Sequence, residues 1–119
     1  MIEIRRYVDN TAKDVFGEWI QSLKDRTAVS RIYTRIDRLA VGNAGDSRSV
    51  GKGVQELRID YGPGYRVYYA RAGDALILLL CGGDKSTQSS DIRLAIAYWH
   101  DYREREKGEG IHETKRSSE

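Results

Sequence analysis

The residue types that could do chemistry gather around one turn. Val54 to Asp60 and Tyr65 to Ala72 alternate with period two, and Tyr61-Gly62-Pro63-Gly64 between them is the strongest turn signal in the chain. A three-residue loop at Tyr61-Gly62-Pro63 sets Arg58 directly opposite Arg66. Alternation then puts Glu56, Arg58, Arg66 and Tyr68 on one face, and Leu57, Ile59 and Val67 on the other. Like charges facing each other across a strand pair are unfavourable by an amount comparable to the ~0.2–1 kcal/mol that a good pair contributes, and an anion between them relieves the cost. Lys85 follows a third strand, past Gly82-Gly83, and can reach over the same face. Three cations, a carboxylate and a phenol on one side of a sheet can grip a phosphate, stabilise charge on its oxygens and supply a proton acceptor. Tyr68 suits stacking on a splayed base. Arg48 and Lys52 in the glycine-rich segment 43–53, and Gln88 before the last helix, complete the candidate substrate contacts.

Other reactive side chains offer less. His100, beside Trp99 near a helix end, reads as a surface histidine, and His112 lies in a charged tail. Cys81 continues an apolar strand and reads as a small hydrophobe. Arg31, Arg35 and Arg38 fall at i, i+4 and i+7 of a helix, the spacing of a solvated face. One Cys and two His fall short of a zinc set and leave no internal disulfide, and the acids show no metal-ligand spacing. No metal and no cofactor is implied.

The elements that must position these groups follow from periodicity. Ile2 to Val8 reads as a strand. Ala12, Val15, Phe16, Trp19, Ile20 and Leu23 form one helical stripe, with Asp9-Asn10-Thr11 as capping candidates. A second helix spans about Thr27 to Val41, with Ala28, Ile32, Ile36, Leu39 and Ala40 inward. The segment 43–53 reads as a loop, since three of its eleven residues are Gly. After the two alternating strands, Ala75 to Cys81 is apolar on both faces, as a central strand is. A last helix carries Ile92, Ala95, Ile96 and Trp99 inward. The order is β-α-α-β-β-β-α: an α+β fold with a small antiparallel sheet and the helices packed on one face. Residues 1–103 form a single domain, and 104–119 a charged tail expected to be disordered.

Composition narrows the function classes. The chain has 119 residues, with 20 Lys and Arg against 18 Asp and Glu, so bulk charge does not drive it onto nucleic acid. No apolar run approaches the ~20 residues of a membrane helix. The start, Met-Ile-Glu-Ile-Arg-Arg, has no apolar signal region behind its basic pair, which predicts a cytoplasmic protein and no membrane partner.

The run from Gly53 to Tyr69, and Leu78-Leu79-Leu80-Cys81-Gly82-Gly83-Asp84-Lys85-Ser86-Thr87-Gln88, resemble the RelE/ParE toxin superfamily, and more closely its HigB-type addiction-module killer branch. The likeness covers residues 1 to about 103. It implies a RelE-like fold and a type II toxin that cuts messenger RNA on the ribosome and is held inactive by a cognate antitoxin protein. By position, Arg58 and Arg66 match basic site residues on the central strands, and Lys85 the basic residue after the last strand. Glu56 stands where the best-known members carry lysine. Their tyrosine near the start of the final helix has no match among Gln88, Ser89, Ser90 and Asp91. The general acid and base therefore stay open on resemblance alone. Metal-free cleavage of RNA uses the ribose 2′-OH, and needs a base, a neutralised phosphorane and a protonated leaving oxygen. By position Glu56 is either the base or the group that holds Arg58 or Arg66 in place, Arg58 and Arg66 neutralise charge, and Lys85 steadies or protonates the leaving oxygen. Two rivals stand beside this reading: a ParE-like toxin that binds gyrase without catalysis and needs no convergent Arg/Lys site, and a regulator that uses the basic face to bind RNA without cutting it.

Overall fold

A computed structural model describes the backbone of residues 1–117 and the side chains of residues 1–108. The elements run β1 (Glu3–Arg6), α1 (Val15–Ser22), α2 (Arg26–Ala40), β2 (Ser47–Gly51), β3 (Val54–Ile59), β4 (Tyr65–Ala72), β5 (Leu76–Asp84), a 3-10 turn (Lys85–Thr87) and α3 (Gln88–Ser117). The sheet has the order β1-β5-β4-β3-β2. It is mixed: β1 runs parallel to β5, and the other neighbours are antiparallel.

Three differences from the sequence reading have physical causes. First, the glycine-rich segment contains a fifth strand, β2. Its glycines serve the hairpin turn into β3, where Gly51, Lys52 and Gly53 all have positive φ. Secondly, the sheet is covered on both faces. Phe16, Ile20, Ile32, Ile36 and Leu39 of α1 and α2 pack with Leu57, Ile59, Val67, Ile77 and Leu79. Ala95 and Trp99 of α3 pack with Val54, Tyr68, Ala70, Leu78, Leu80 and Cys81 on the other side. A strand apolar on both faces requires two covers, and α3 is the second. Thirdly, α1 starts later than its stripe suggests. Asp14 caps it through Gly17 N, while Asp9 closes a separate turn onto Thr11 N and Lys13 N. The positions read as inward on α2 are all buried, which is what a helix docked along its 3.6-residue stripe shows.

β5 does not stop at its glycines. A register shift at Tyr68/Tyr69 leaves Leu80 as an extra residue, so Leu80 and Cys81 both join the α3-side cluster. Beyond the shift, a Cβ on Gly82 falls 2.2 Å from the Trp19 ring, and one on Gly83 falls 1.9 Å from Asp91 Oδ2. Each glycine admits a side chain from one of the two covering layers. Gly82→Ala must push the Trp19 ring off the sheet, at a cost of about 1–3 kcal/mol as for other overpacked sites. A thermal melt of the variant indistinguishable from the parent would contradict that packing.

From 104 the charged stretch continues as α3 up to Ser117, where the sequence offered no ordered element. Residues 118 and 119 lie outside the described residues. No described helix is long and apolar enough to cross a membrane.

Candidate functional site

β3 and β4 pair in the expected register, Arg58 opposite Arg66. The loop between them turns back over the strand ends, with Gly62 and Gly64 at positive φ. Lys85 opens the 3-10 turn directly after β5. Together Arg58, Arg66 and Lys85 line an open pocket of about 480 Å³ with Asp46, Asp60, Gly62, Pro63 and Gly64. A Cβ on Gly64 would lie 3.5 Å from Arg66 Nη1 and 3.6 Å from the Lys85 Cβ. The bare glycine, at φ +79, thus keeps the space between the two cations open.

Glu56 and Tyr68 share the sheet face of the arginines, as alternation predicts, but they do not look outward. Both are wholly buried under the start of α3. Glu56 Oε1 accepts from Arg48 Nε at 3.0 Å. Its Oε2 accepts from Gln88 Nε2 at 2.8 Å and from the Tyr68 hydroxyl at 3.1 Å. Arg66 Nε stands 3.9 Å from the same oxygen, buried and without a hydrogen-bond partner among the described residues. The face expected to be open is closed here: Glu56, weighed from sequence as a base or as a holder of the arginines, is the acceptor at the centre of a buried network. Arg48, Tyr68 and Gln88, expected to touch substrate, are turned onto Glu56. The reason is α3: the sequence reading left this face uncovered, and α3 covers it down to Gln88.

Burial alone would raise the Glu56 pKa. Hydrogen bonds from Gln88, Arg48 and Tyr68, and the charge of Arg48, outweigh it and hold the carboxyl below its ordinary 4.5. Burial first, then the Glu56 charge, pushes the Tyr68 hydroxyl up and keeps it a neutral donor. A lowered pKa in the folded state means that the unfolded chain takes up the proton first as pH falls. Stability from Glu56 is therefore whole above pH 4.5 and is lost as pH falls through the folded-state value. Urea unfolding followed between about pH 3 and 6 should show this decline, and Glu56→Gln should flatten it.

Lys52 stands apart. It occupies the β2–β3 turn at the far end of the hairpin and lines a different cavity, with Arg93, Trp99 and His100. His112 lies outside the residues whose side chains are described. Cys81 is buried, with its thiol pushed up to about 12 by burial. Of the arginine stripe on α2, Arg31 lies over the Tyr61 ring. Arg31 and Arg38 are exposed, as that stripe predicts, whereas Arg35 is half-buried and donates to the carbonyls of Arg58, Ala44 and Asp46. No three of the described His, Cys, Asp or Glu side chains form a ligand set.

Asp46 was missed. Its Oδ1 accepts from Arg58 Nε at 3.0 Å and Arg58 Nη2 at 2.7 Å, and its carbonyl accepts from Arg58 N at 2.9 Å. Ser47 pairs with Leu57, so the register sets Asp46 across from Arg58. The anion expected beside the facing arginines is thus partly supplied by the protein itself. Reading 43–53 as a strand rather than a loop was the signal that could have found it.

The protein is thus an α+β domain with helices on both faces of its sheet and a basic pocket at the end of the central hairpin. The chain belongs to the phage derived protein Gp49-like family (DUF891), which matches residues 18–97 and is associated with toxin–antitoxin systems. It is also similar to an uncharacterized protein of Haemophilus influenzae, 52% identical over 80 residues that cover 67% of this chain and 81% of that protein. The matched region contains β2 to β5 and the whole basic pocket.

Proposed function

We propose that the protein is the toxin of a type II toxin–antitoxin pair, a RelE/HigB-like endoribonuclease that cuts messenger RNA on the ribosome and arrests translation. One observation carries the reading: Arg58, Arg66 and Lys85, drawn from three separate segments, converge on one open pocket sized for a phosphate and its sugar. Guanidinium forks suit the two non-bridging oxygens of a scissile phosphate, and an ammonium suits the leaving oxygen. Attack by the 2′-OH yields a 2′,3′-cyclic phosphate and a free 5′-OH, so DNA is no substrate. A cognate antitoxin holds the protein inactive in the cytoplasm. Glu56 acts here by holding Arg48, Tyr68 and Gln88, and so the floor beneath Arg66.

The decisive experiment incubates purified protein with ribosomes translating a defined message and maps the ends. New 3′ ends bearing cyclic phosphate, absent without ribosomes, are expected. Intact message together with prompt arrest of DNA synthesis in cells would favour gyrase poisoning instead.

A further inference from the structure

We propose that Asp46 is the general base of this site, taking the proton from the attacking 2′-hydroxyl; the inference rests on the endoribonuclease reading above. With Glu56 sealed beneath α3, the carboxylates lining the basic pocket are Asp46 and Asp60. They differ in how they are held. Asp60 has no hydrogen bond or ion pair among the described residues, whereas Asp46 is fixed on both its backbone and its side chain. Its carbonyl takes Arg58 N at 2.9 Å and Arg35 Nη2 at 3.3 Å, and Arg35 also holds the Ala44 carbonyl at 2.9 Å.

The side chain is oriented through one oxygen. Oδ1 receives both Arg58 donors, while Oδ2 has no partner among the described residues. The Asp46 side chain is 51% exposed, so that free oxygen is within reach of an incoming ribose. A base with one oxygen anchored and the other open is the arrangement that proton abstraction needs. Half-exposure screens the pair that Asp46 makes with Arg58.

The step balances without a co-reactant. Oδ2 takes the 2′ proton as the 2′ oxygen bonds to phosphorus. The bond from phosphorus to the 5′ oxygen breaks, and that oxygen takes a proton from the Lys85 ammonium. The proton on Asp46 then returns to Lys85 through water. Arg66 and the Nη1 of Arg58, which has no partner among the described residues, face the non-bridging oxygens.

The test is single-turnover cleavage on programmed ribosomes by wild type and Asp46→Asn. Alongside it runs the affinity for ribosomes carrying a message with a 2′-deoxy sugar at the cut site, which binds but cannot be cut. The base role predicts a rate loss of ~10²–10⁴ with affinity unchanged or tighter. Asp46→Ser, a smaller replacement, should give the same split should the amide itself disturb Arg58. A rate loss of less than about tenfold overturns the proposal. So does a loss of affinity that parallels the loss of rate, because that is what releasing Arg58 would do. Loss in Asp60→Asn without loss in Asp46→Asn moves the role to Asp60 and also overturns it. Failure of wild type to cleave any ribosome-bound message is a separate outcome: it removes the endoribonuclease reading itself, and Asp46 with it.

Discussion

Arg66→Ala is expected to cut ribosome-dependent cleavage by at least ~10²–10³, the loss seen when one donor to a developing anion is removed. Arg66 is placed between Arg58 on β3 and Gly83 on β5, with Nη1 on the Gly64 carbonyl at 3.3 Å and its side chain 13% exposed. That burial sets the second half of the prediction. Read from sequence as outward-facing, the residue would cost under ~0.5 kcal/mol to truncate, as at an ordinary surface site. Set over the buried Glu56, it should cost about 1–3 kcal/mol, because a charge below loses part of its compensation. Arg66→Lys separates the two effects: the charge over Glu56 stays, and the fork for two phosphate oxygens goes. Melting temperatures and single-turnover rates of both variants check it. A lysine variant with full activity would reduce Arg66 to a simple counter-charge.

Glu56→Ala is expected to cause a loss of stability as large as truncating a core residue. It strands the buried Tyr68 hydroxyl and leaves Arg66 Nε over an empty buried space, while the half-buried Gln88 and the half-exposed Arg48 can turn to water. Removing one member of a buried ionic network costs about 3–5 kcal/mol, which is roughly 10 °C or more in melting temperature for a domain near this size. Glu56→Gln keeps the volume but leaves one acceptor for three donors and no charge facing the cations, so it should recover only part of the loss. The folded fraction of Glu56→Gln should still cleave within about tenfold of wild type, since a proton acceptor outside the pocket is not required. A larger deficit in protein shown to be folded would return Glu56 to the reaction itself.

What could be read from residue order alone was local and periodic. The α2 stripe, the β3–β4 register and the facing of Arg58 and Arg66 came through because side-chain alternation and one strong turn determine them. What could not be read depended on which element lies over which. Glu56 has the same alternation whether a helix covers it or water does, so its burial was invisible until α3 had a place. β2 was hidden by its own turn glycines, and with it the position of Asp46. The double glycine of β5 looked like an ending, because a lone sequence does not distinguish a glycine that breaks a strand from one that makes room for Trp19 or Asp91.

The parallel pairing of β1 with β5 sets a schedule for the living chain. Glu3 aligns with Leu76 and Arg6 with Leu79, so the first strand to be synthesised waits for the last before it has a neighbour. Lys85 follows at once, and Gln88, which closes over Glu56, comes three residues later. Such long-range pairing is slow to form, and nothing shorter than nearly the full described domain can assemble the pocket. A half-made chain that ends before Lys85 therefore lacks the basic pocket, and with it whatever that pocket does.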